Sequence, residues 1–159
     1  MTASILFVCL GNICRSPTAE AVFQSRLKAV GLANQIQVDS AGTGDWHVGA
    51  APDTRAQAAG LARGYDLSHL RARQVSQEDF FQHRWIIAMD QNNLRDLIQL
   101  APAVHTAQLN LLLDYSSLSL VDKNVPDPYY GKIADFDRML DLIEDACQGL
   151  LVHIHREII

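Results

Sequence analysis

An α/β fold built on a parallel sheet is predicted by three features of this sequence. The apolar runs Ile5-Leu6-Phe7-Val8 and Trp85-Ile86-Ile87-Ala88-Met89 lack polar alternation, as strands covered on both faces do. Segments with helical spacing separate the strand-like runs, and that alternation builds βαβ units. The chain has 159 residues, about half of them apolar, which suffices for one domain, residues 1–159, with a core of its own. The expected architecture is Rossmann-like and three-layered: a four-stranded parallel sheet with helices on both faces.

The elements follow in order. Ser4 to Val8 reads as strand one. Thr18 to Val30 reads as a helix, with Ala19, Val22, Phe23, Leu27 and Val30 on one face and Gly31 ending it. Ser16 is a good N-cap residue, and Pro17 suits the first helical position because its missing N–H would be unpaired there. Ile36 to Ser40 is strand two and runs into a glycine-rich loop, Ala41 to Gly49. Ala51 to Ala62 is helical, opened by Pro52 and Asp53. Ser76 to Phe81 reads as one or two helical turns with a Ser76/Asp79 capping box. Trp85 to Met89 is strand three, and Asp90 caps a helix through Leu100. Leu109 to Leu113 reads as strand four, although a leucine run also suits a helix. After a polar loop containing Val125 to Gly131, helical spacing runs from Ala134 to His155.

The chemistry concentrates between strand one and the first helix. Cys9 and Arg15 bracket this loop, with five residues between them. Backbone N–H groups at a helix N-terminus attract anions. A cysteine beside such a terminus and an arginine ionises more readily than a free thiol, which makes Cys9 a candidate nucleophile. The planar fork of Arg15 matches two phosphate oxygens at once. Gly11 and Asn12 tolerate the left-handed backbone that turns successive N–H groups inward. Leu10, Gly11, Asn12, Ile13, Cys14, Arg15 and Ser16 therefore form a phosphate-sized cradle around a sulfur. Ligands on parallel sheets lie at the carboxyl ends of strands, where this loop falls.

Composition narrows the partners. A net charge of −5 argues against a nucleic-acid surface or a polybasic membrane patch. Three cysteines make no disulfide framework and point to a reducing, cytoplasmic setting. No stretch approaches the roughly 20 apolar residues of a membrane helix, and the N-terminal run lacks the flanks of a signal peptide. The six histidines show no metal-ligand spacing beyond His153-x-His155, which reads as a solvated face.

Six motifs carry a resemblance across nearly the whole chain: Cys9 to Pro17, Asp39 to Gly44, Trp46 to Gly49, His69 with Arg71-Ala72-Arg73, Ala88-Met89-Asp90, and Asp127-Pro128-Tyr129-Tyr130. In these the chain resembles the low-molecular-weight protein tyrosine phosphatases. The resemblance implies that Cys9 attacks phosphorus to form a thiophosphate intermediate, with Arg15 and the loop binding the phosphate. Asp127 is then the general acid for the leaving phenolate and the base for water. Asn12, Ser16, Ser40 and His69 are expected to support the loop, with Ser16 either bonding the Cys9 sulfur or only capping the helix. Trp46 and Tyr129 are expected to wall the pocket. Cys14 is a possible redox partner for Cys9, whereas Cys147 reads as core. No metal or cofactor is expected. The implied partners are phosphotyrosine-containing proteins, with no nucleic acid and no membrane, and the chain is expected to be a monomer or weakly self-associating. Two alternatives stay open: an arsenate reductase on the same fold, and a phosphate-binding module without turnover.

Overall fold

A computed structural model of the protein describes residues 3–158. Four strands, β1 (Ala3–Cys9), β2 (Ile36–Gly42), β3 (Trp85–Ala88) and β4 (Gln108–Leu111), form one sheet in the order β2-β1-β3-β4, with every pair parallel. Helices α1 (Arg15–Ala29), α2 (Thr54–Ala62), α3 (Asp79–Gln82), α4 (Gln91–Leu100) and α5 (Ile133–Ile158) connect and cover it. The three-layer α/β architecture expected from the apolar runs is present.

Alternation along the inner strands divides the core in two. Ile5, Phe7 and Cys9 of β1, with Trp85 and Ile87 of β3, face α1 and α5. Leu6, Val8, Ile86 and Ala88 face the other way, against Phe80 and Leu97 of α3 and α4. Each fully buried large side chain contributes about 1.5–3 kcal/mol of transfer free energy. Both faces must therefore be apolar, which explains why β1 and β3 show no polar alternation.

Several boundaries differ from expectation. Helix α2 begins at Thr54 and not at Ala51, with Asp53 as its N-cap, and α3 spans Asp79–Gln82 and not Ser76 to Phe81. Helix α1 begins at Arg15 and not near Thr18, so Pro17 is the third helical residue and not the first. Proline is tolerated there because the first-turn N–H groups have no helical partner. Strand β4 ends at Leu111, and Leu112–Tyr115 is a 3-10 turn, which answers the ambiguity of the leucine run. Helix α5 is longer than its apolar spacing indicated, reaching from Ile133 to Ile158.

Strand β1 lies inside the sheet, with β2 on one side and β3 on the other. The connection leaving β1 runs outward to β2 and the one leaving β3 runs the other way to β4, so they diverge at the carboxyl ends of these two strands, and such switch points open crevices for ligands. Cys9 is the last residue of β1 and pairs with Gly42 of β2.

Helix α5 closes the α1 layer by packing against α1, α2 and the 3-10 turn. At Gly149 it approaches the 3-10 turn so closely that an added Cβ would collide with the Tyr115 carbonyl oxygen. Alanine favours a helix over glycine by about 1 kcal/mol, so helix propensity alone predicts a gain for Gly149→Ala. Overpacking typically costs 1–3 kcal/mol, and backbone yields less readily than a side chain. Gly149→Ala should therefore lower stability by up to about 2 kcal/mol net in urea unfolding. An increase in stability would contradict this packing.

Candidate active site

From Cys9 the chain turns through the loop and enters α1 at Arg15. Asn12 has φ 57°, and among the described residues it alone has a positive φ without being glycine. This left-handed conformation costs about 1–2 kcal/mol, and it lets the Asn12 N–H donate to Cys9 Sγ at 3.3 Å. The side chain of Asn12 holds the turn. Its Nδ2 donates to Ser16 Oγ (2.7 Å) and to Ser40 Oγ (3.0 Å), while its Oδ1 accepts from the Arg73 N–H (3.0 Å).

Neighbouring segments take the loop's carbonyls. Thr43 N donates to Cys9 O (2.9 Å), Gly44 N to Leu10 O (2.9 Å) and Asp53 N to Ile13 O (2.8 Å). Gly42 makes this approach possible, since a Cβ there would lie 2.7 Å from Leu10 O. With its carbonyls engaged outside, the loop can present N–H groups to its concave side, an anion-binding arrangement.

Arg15 is almost wholly buried. Its Nη1 donates to Asp90 Oδ2 (2.5 Å) and to Val125 O (3.0 Å), and its Nη2 lies 3.6 Å from Asp127 Oδ2. Among the described residues Nε and Nη2 make no hydrogen bond, which leaves one edge of the fork for a ligand. Burial opposes the positive charge, but the Cys9 sulfur, Asp90 and Asp127 outweigh it and hold the guanidinium above its ordinary pKa. Asp90 does two jobs: its Oδ1 caps α4 by accepting from Asn93 N (2.7 Å), while its Oδ2 holds Arg15.

Cys9, Cys14, Arg15, Trp46, Asp127 and Tyr129 share one cavity of about 360 Å³. Trp46 and Tyr130 form its exposed rim, and Tyr129 is half-buried. The Asp127 carboxyl accepts from Tyr129 N (3.1 Å), an Asx turn that aims it into the cavity mouth. Its loop is tied down twice. Val125 N donates to Met89 O (2.8 Å), and Arg55 Nη2 donates to Tyr129 O (2.9 Å). Arg55 is itself held by Asp53, the cap of α2. A larger cleft of about 670 Å³, lined by Ser4, Lys28, Asp39 and His83 among others, holds none of these cavity residues.

Cys14 is buried beside the cavity. Burial first, then the nearby Asp53, Cys9 and Asp127, push its thiol up to about 12, so it stays protonated. Cys147 is fully buried in the α1–α5 core, and burial raises its pKa too.

Two expectations need correction. Ser16 is not the N-cap of α1. Cys14 takes that position without a side-chain bond, and Ser16 Oγ turns inward to lie 3.0 Å from Cys9 Sγ. The hydroxyl is drawn away from capping by Asn12 and the sulfur. His69, expected as a loop support, is exposed and makes no hydrogen bond to the loop among the described residues. Its neighbour Leu70 packs against the core instead, and the Arg73 backbone supplies the bond to Asn12. Ser40 does reach the loop, through Asn12.

Residues that sequence reasoning passed over include Asp90, His47, Arg55 and Glu20. Asp90 lies within the Ala88-Met89-Asp90 motif, where local rules give it only the role of a helix cap. His47 follows Trp46 and fills the cavity wall between Gly11 and the Tyr129 ring, whose centroid is 6.3 Å away. Arg55 bonds its neighbour Asp53, but the contacts that matter for the site, Arg55 to Tyr129 O and Glu20 to Ser40, are distant in sequence and leave no local signal.

The two functions of Asn12, conformation and bonding, can be separated by substitution. Asn12→Gly tolerates φ 57° and loses only the bonds, whereas Asn12→Ala loses the bonds and adds left-handed strain. Both variants should bind inorganic phosphate at least tenfold more weakly. Asn12→Ala should be less stable than Asn12→Gly by about 1 kcal/mol in urea unfolding. Equal phosphate affinity in wild type and Asn12→Gly would mean that the side chain does not hold the loop.

The family model described as low molecular weight phosphotyrosine protein phosphatase matches residues 4–158. A low molecular weight protein-tyrosine-phosphatase of Streptomyces coelicolor is 42% identical over 160 residues, covering 99% of this chain and 97% of that relative. The low molecular weight phosphotyrosine protein phosphatase of Homo sapiens is 40% identical over 156 residues, covering 97% of each. Among solved structures, a protein tyrosine phosphatase from Entamoeba histolytica with Hepes in its active site superposes with a TM-score of 0.93 at 36% identity, covering 99% of this chain and 100% of that one. A Drosophila arginine phosphatase superposes at 0.88 with 32% identity, covering 94% and 96%.

Proposed function

This chain belongs to the low molecular weight phosphotyrosine protein phosphatase family, and from that premise we propose a reaction path and residue roles for the cavity at Cys9. The protein is a phosphoric monoester hydrolase of the tyrosine-phosphatase type. Its substrates are phosphotyrosine side chains of proteins and small aryl phosphates. It acts in the cytoplasm as a single domain, monomeric or weakly self-associating. Among the described residues no helix is long and apolar enough to cross a membrane.

A phosphate monoester carries close to two negative charges at neutral pH, and a thiolate approaching it is repelled unless positive charge surrounds both. Arg15 and the inward N–H groups of Leu10 to Ser16 supply that field, and preorganised electrostatics of this kind usually dominate catalysis. The free edge of the Arg15 fork receives two phosphoryl oxygens. Cys9 Sγ attacks phosphorus as the phenolate oxygen leaves, and Asp127 delivers a proton to that oxygen. The S–P bond is then broken by water. Asp127, now a carboxylate, takes the proton from the water, inorganic phosphate leaves, and the thiolate is restored. Ser16 Oγ, 3.0 Å from the sulfur, stabilises the departing thiolate. The observation that carries this reading is one cavity lined by Cys9, Arg15 and Asp127.

Trp46 and Tyr129 wall a slot that suits an aryl group, with His47 beside them. An aryl ester fills that slot and reaches Cys9, whereas a short alkyl ester forfeits the ring contacts. An arsenate reductase needs further cysteines to relay a disulfide. Cys147 lies in the core, which leaves Cys14 as the one further cysteine at the cavity, and that weighs against a relay through several cysteines. A binding module without turnover needs neither Cys9 nor Asp127. Cys14 remains a candidate disulfide partner for Cys9 under mild oxidation.

Turnover of aryl phosphates tests the roles. Cys9→Ser should abolish it while retaining oxyanion binding, and Arg15→Ala should lose both. Asp127→Ala should slow phenyl phosphate by about 10²–10⁴-fold, the usual contribution of a placed acid. The same substitution should slow nitrophenyl phosphate far less, since that leaving group departs without a proton. Equal losses on both substrates would remove Asp127 from the acid role. Because Asp127 must be protonated while Cys9 is ionised, activity should peak on the acid side of neutral. A flat profile from about pH 5 to 9 would contradict the pairing.

A further inference from the structure

Glu20, on the second turn of α1, is a buried acid that the reaction does not use, and among the described residues it has no salt-bridge partner. Its Oε1 accepts a hydrogen bond from Ser40 Oγ at 2.7 Å. Ser40 in turn lies 3.0 Å from Asn12 Nδ2, and that nitrogen also reaches Ser16 Oγ, the neighbour of Cys9 Sγ. The amide nitrogen has two hydrogens and no acceptor site. Both serine oxygens therefore accept from Asn12, and both serine protons point away from it. The proton of Ser40 goes to Glu20, and the proton of Ser16 goes to the Cys9 sulfur, with Ala41 O a longer alternative at 3.4 Å. Glu20 and Cys9 are thus the two ends of one buried hydrogen-bond chain, and both ends are acceptors.

We propose that Glu20 is a positioning residue that tunes the phosphate loop: it anchors Ser40 and Asn12, and on ionising its charge opposes the dianion held at Cys9 and Arg15. The proposal rests on the phosphate-ester reading of that cavity.

The surroundings place the change of charge in the neutral range. Burial is the main cause and pushes the Glu20 carboxyl up to about 7. From β2, the Ser40 hydroxyl bond partly offsets burial while the nearby Asp39 adds to it. Arg73, between α2 and α3, pulls the other way, but its guanidinium is already shared by Asp39 and Asp79. The sign follows directly. Between the ordinary value of 4.5 and about 7 the folded chain keeps a proton at Glu20 that the unfolded chain releases. Glu20 therefore favours folding most strongly below 4.5, and that contribution is lost as pH rises through 7. Anion binding follows the same direction. A dianion in the loop draws a proton onto Glu20, and by reciprocity a proton on Glu20 strengthens the dianion's binding.

Sulfate is a suitable probe because it remains a dianion throughout the range. Its binding is measured by competition with nitrophenyl phosphate and by calorimetry, from about pH 5.5 to 8.5, for wild type, Glu20→Gln and Glu20→Ala. Glutamine keeps an acceptor for Ser40 but cannot ionise. The ratio of wild-type to Glu20→Gln affinity should fall about three- to tenfold across the range, the scale of a charge–charge interaction moderated by an effective protein dielectric of about 20 or more. Effects of Cys9 and of the histidines are common to both proteins and cancel in that ratio. At pH 7, calorimetry in buffers of different ionisation heat should show more proton uptake by wild type than by Glu20→Gln. Glu20→Ala removes the anchor, so it should bind sulfate more weakly than Glu20→Gln at every pH. If the variants fail to fold, infrared difference spectra of wild type at pH 7 should show a carboxylate becoming protonated as sulfate is added. Parallel pH profiles for wild type and Glu20→Gln, or no such infrared change, would sink the Glu20 proposal alone. Sulfate that binds without competing with nitrophenyl phosphate would instead sink the reading of the cavity.

Discussion

A guanidinium buried at the wrong end of a helix organises this molecule. Arg15 is the first residue of α1 and only 3% exposed. Burying a charge costs several kcal/mol, and the positive end of the helix dipole adds to that cost. The charge is tolerated because two distant segments converge on it: Asp90 after β3, and the loop that brings both the Val125 carbonyl and, across the cavity, Asp127. Those contacts also draw the acid-bearing loop toward the end of β1. The same electrostatic demand that makes Arg15 costly in isolation makes its free edge attractive to a dianion.

The site is assembled from helix starts, each serving fold and cavity together. Asp90 caps α4 and holds Arg15. Asp53 caps α2, takes the Ile13 carbonyl with its own N–H, and grips Arg55, which reaches the loop after Asp127. Asn12 stores left-handed strain within a network running from Glu20 to Cys9. Shared use of this kind couples stability to function. A substitution at one of these caps alters both the helix and the position of a reacting group.

Much of the fold was legible because burial on both faces leaves a plain mark. β1 and β3 are continuous apolar runs, and α5 keeps its apolar spacing over most of its length. The loop from Cys9 to Ser16 was legible as a unit because its residues are contiguous and lie between β1 and α1. Where local rules failed, tertiary partners had overridden them. Ser16 has the chemistry of a cap, yet Asn12 and the Cys9 sulfur claim its hydroxyl. His69 matched a motif by residue type, but Leu70 is the neighbour that turns inward. The Arg15–Asp90 pair spans 75 residues, and no local pattern could announce it. Glu20 lies on a helix whose first turns are buried almost all round, since α1 packs against α5, β2 and β1.

The central claim is that phosphate passes through a covalent bond to Cys9 inside the field of Arg15. Its most direct test is acid quenching of the protein during steady turnover of an aryl phosphate, followed by peptide mapping in a mass spectrometer. The account predicts a phosphorylated peptide carrying the modification on Cys9, formed within the first turnover and lost when substrate is exhausted. Steady turnover with Cys9 unmodified at every quench time, and phosphate found on another residue or on none, would contradict it.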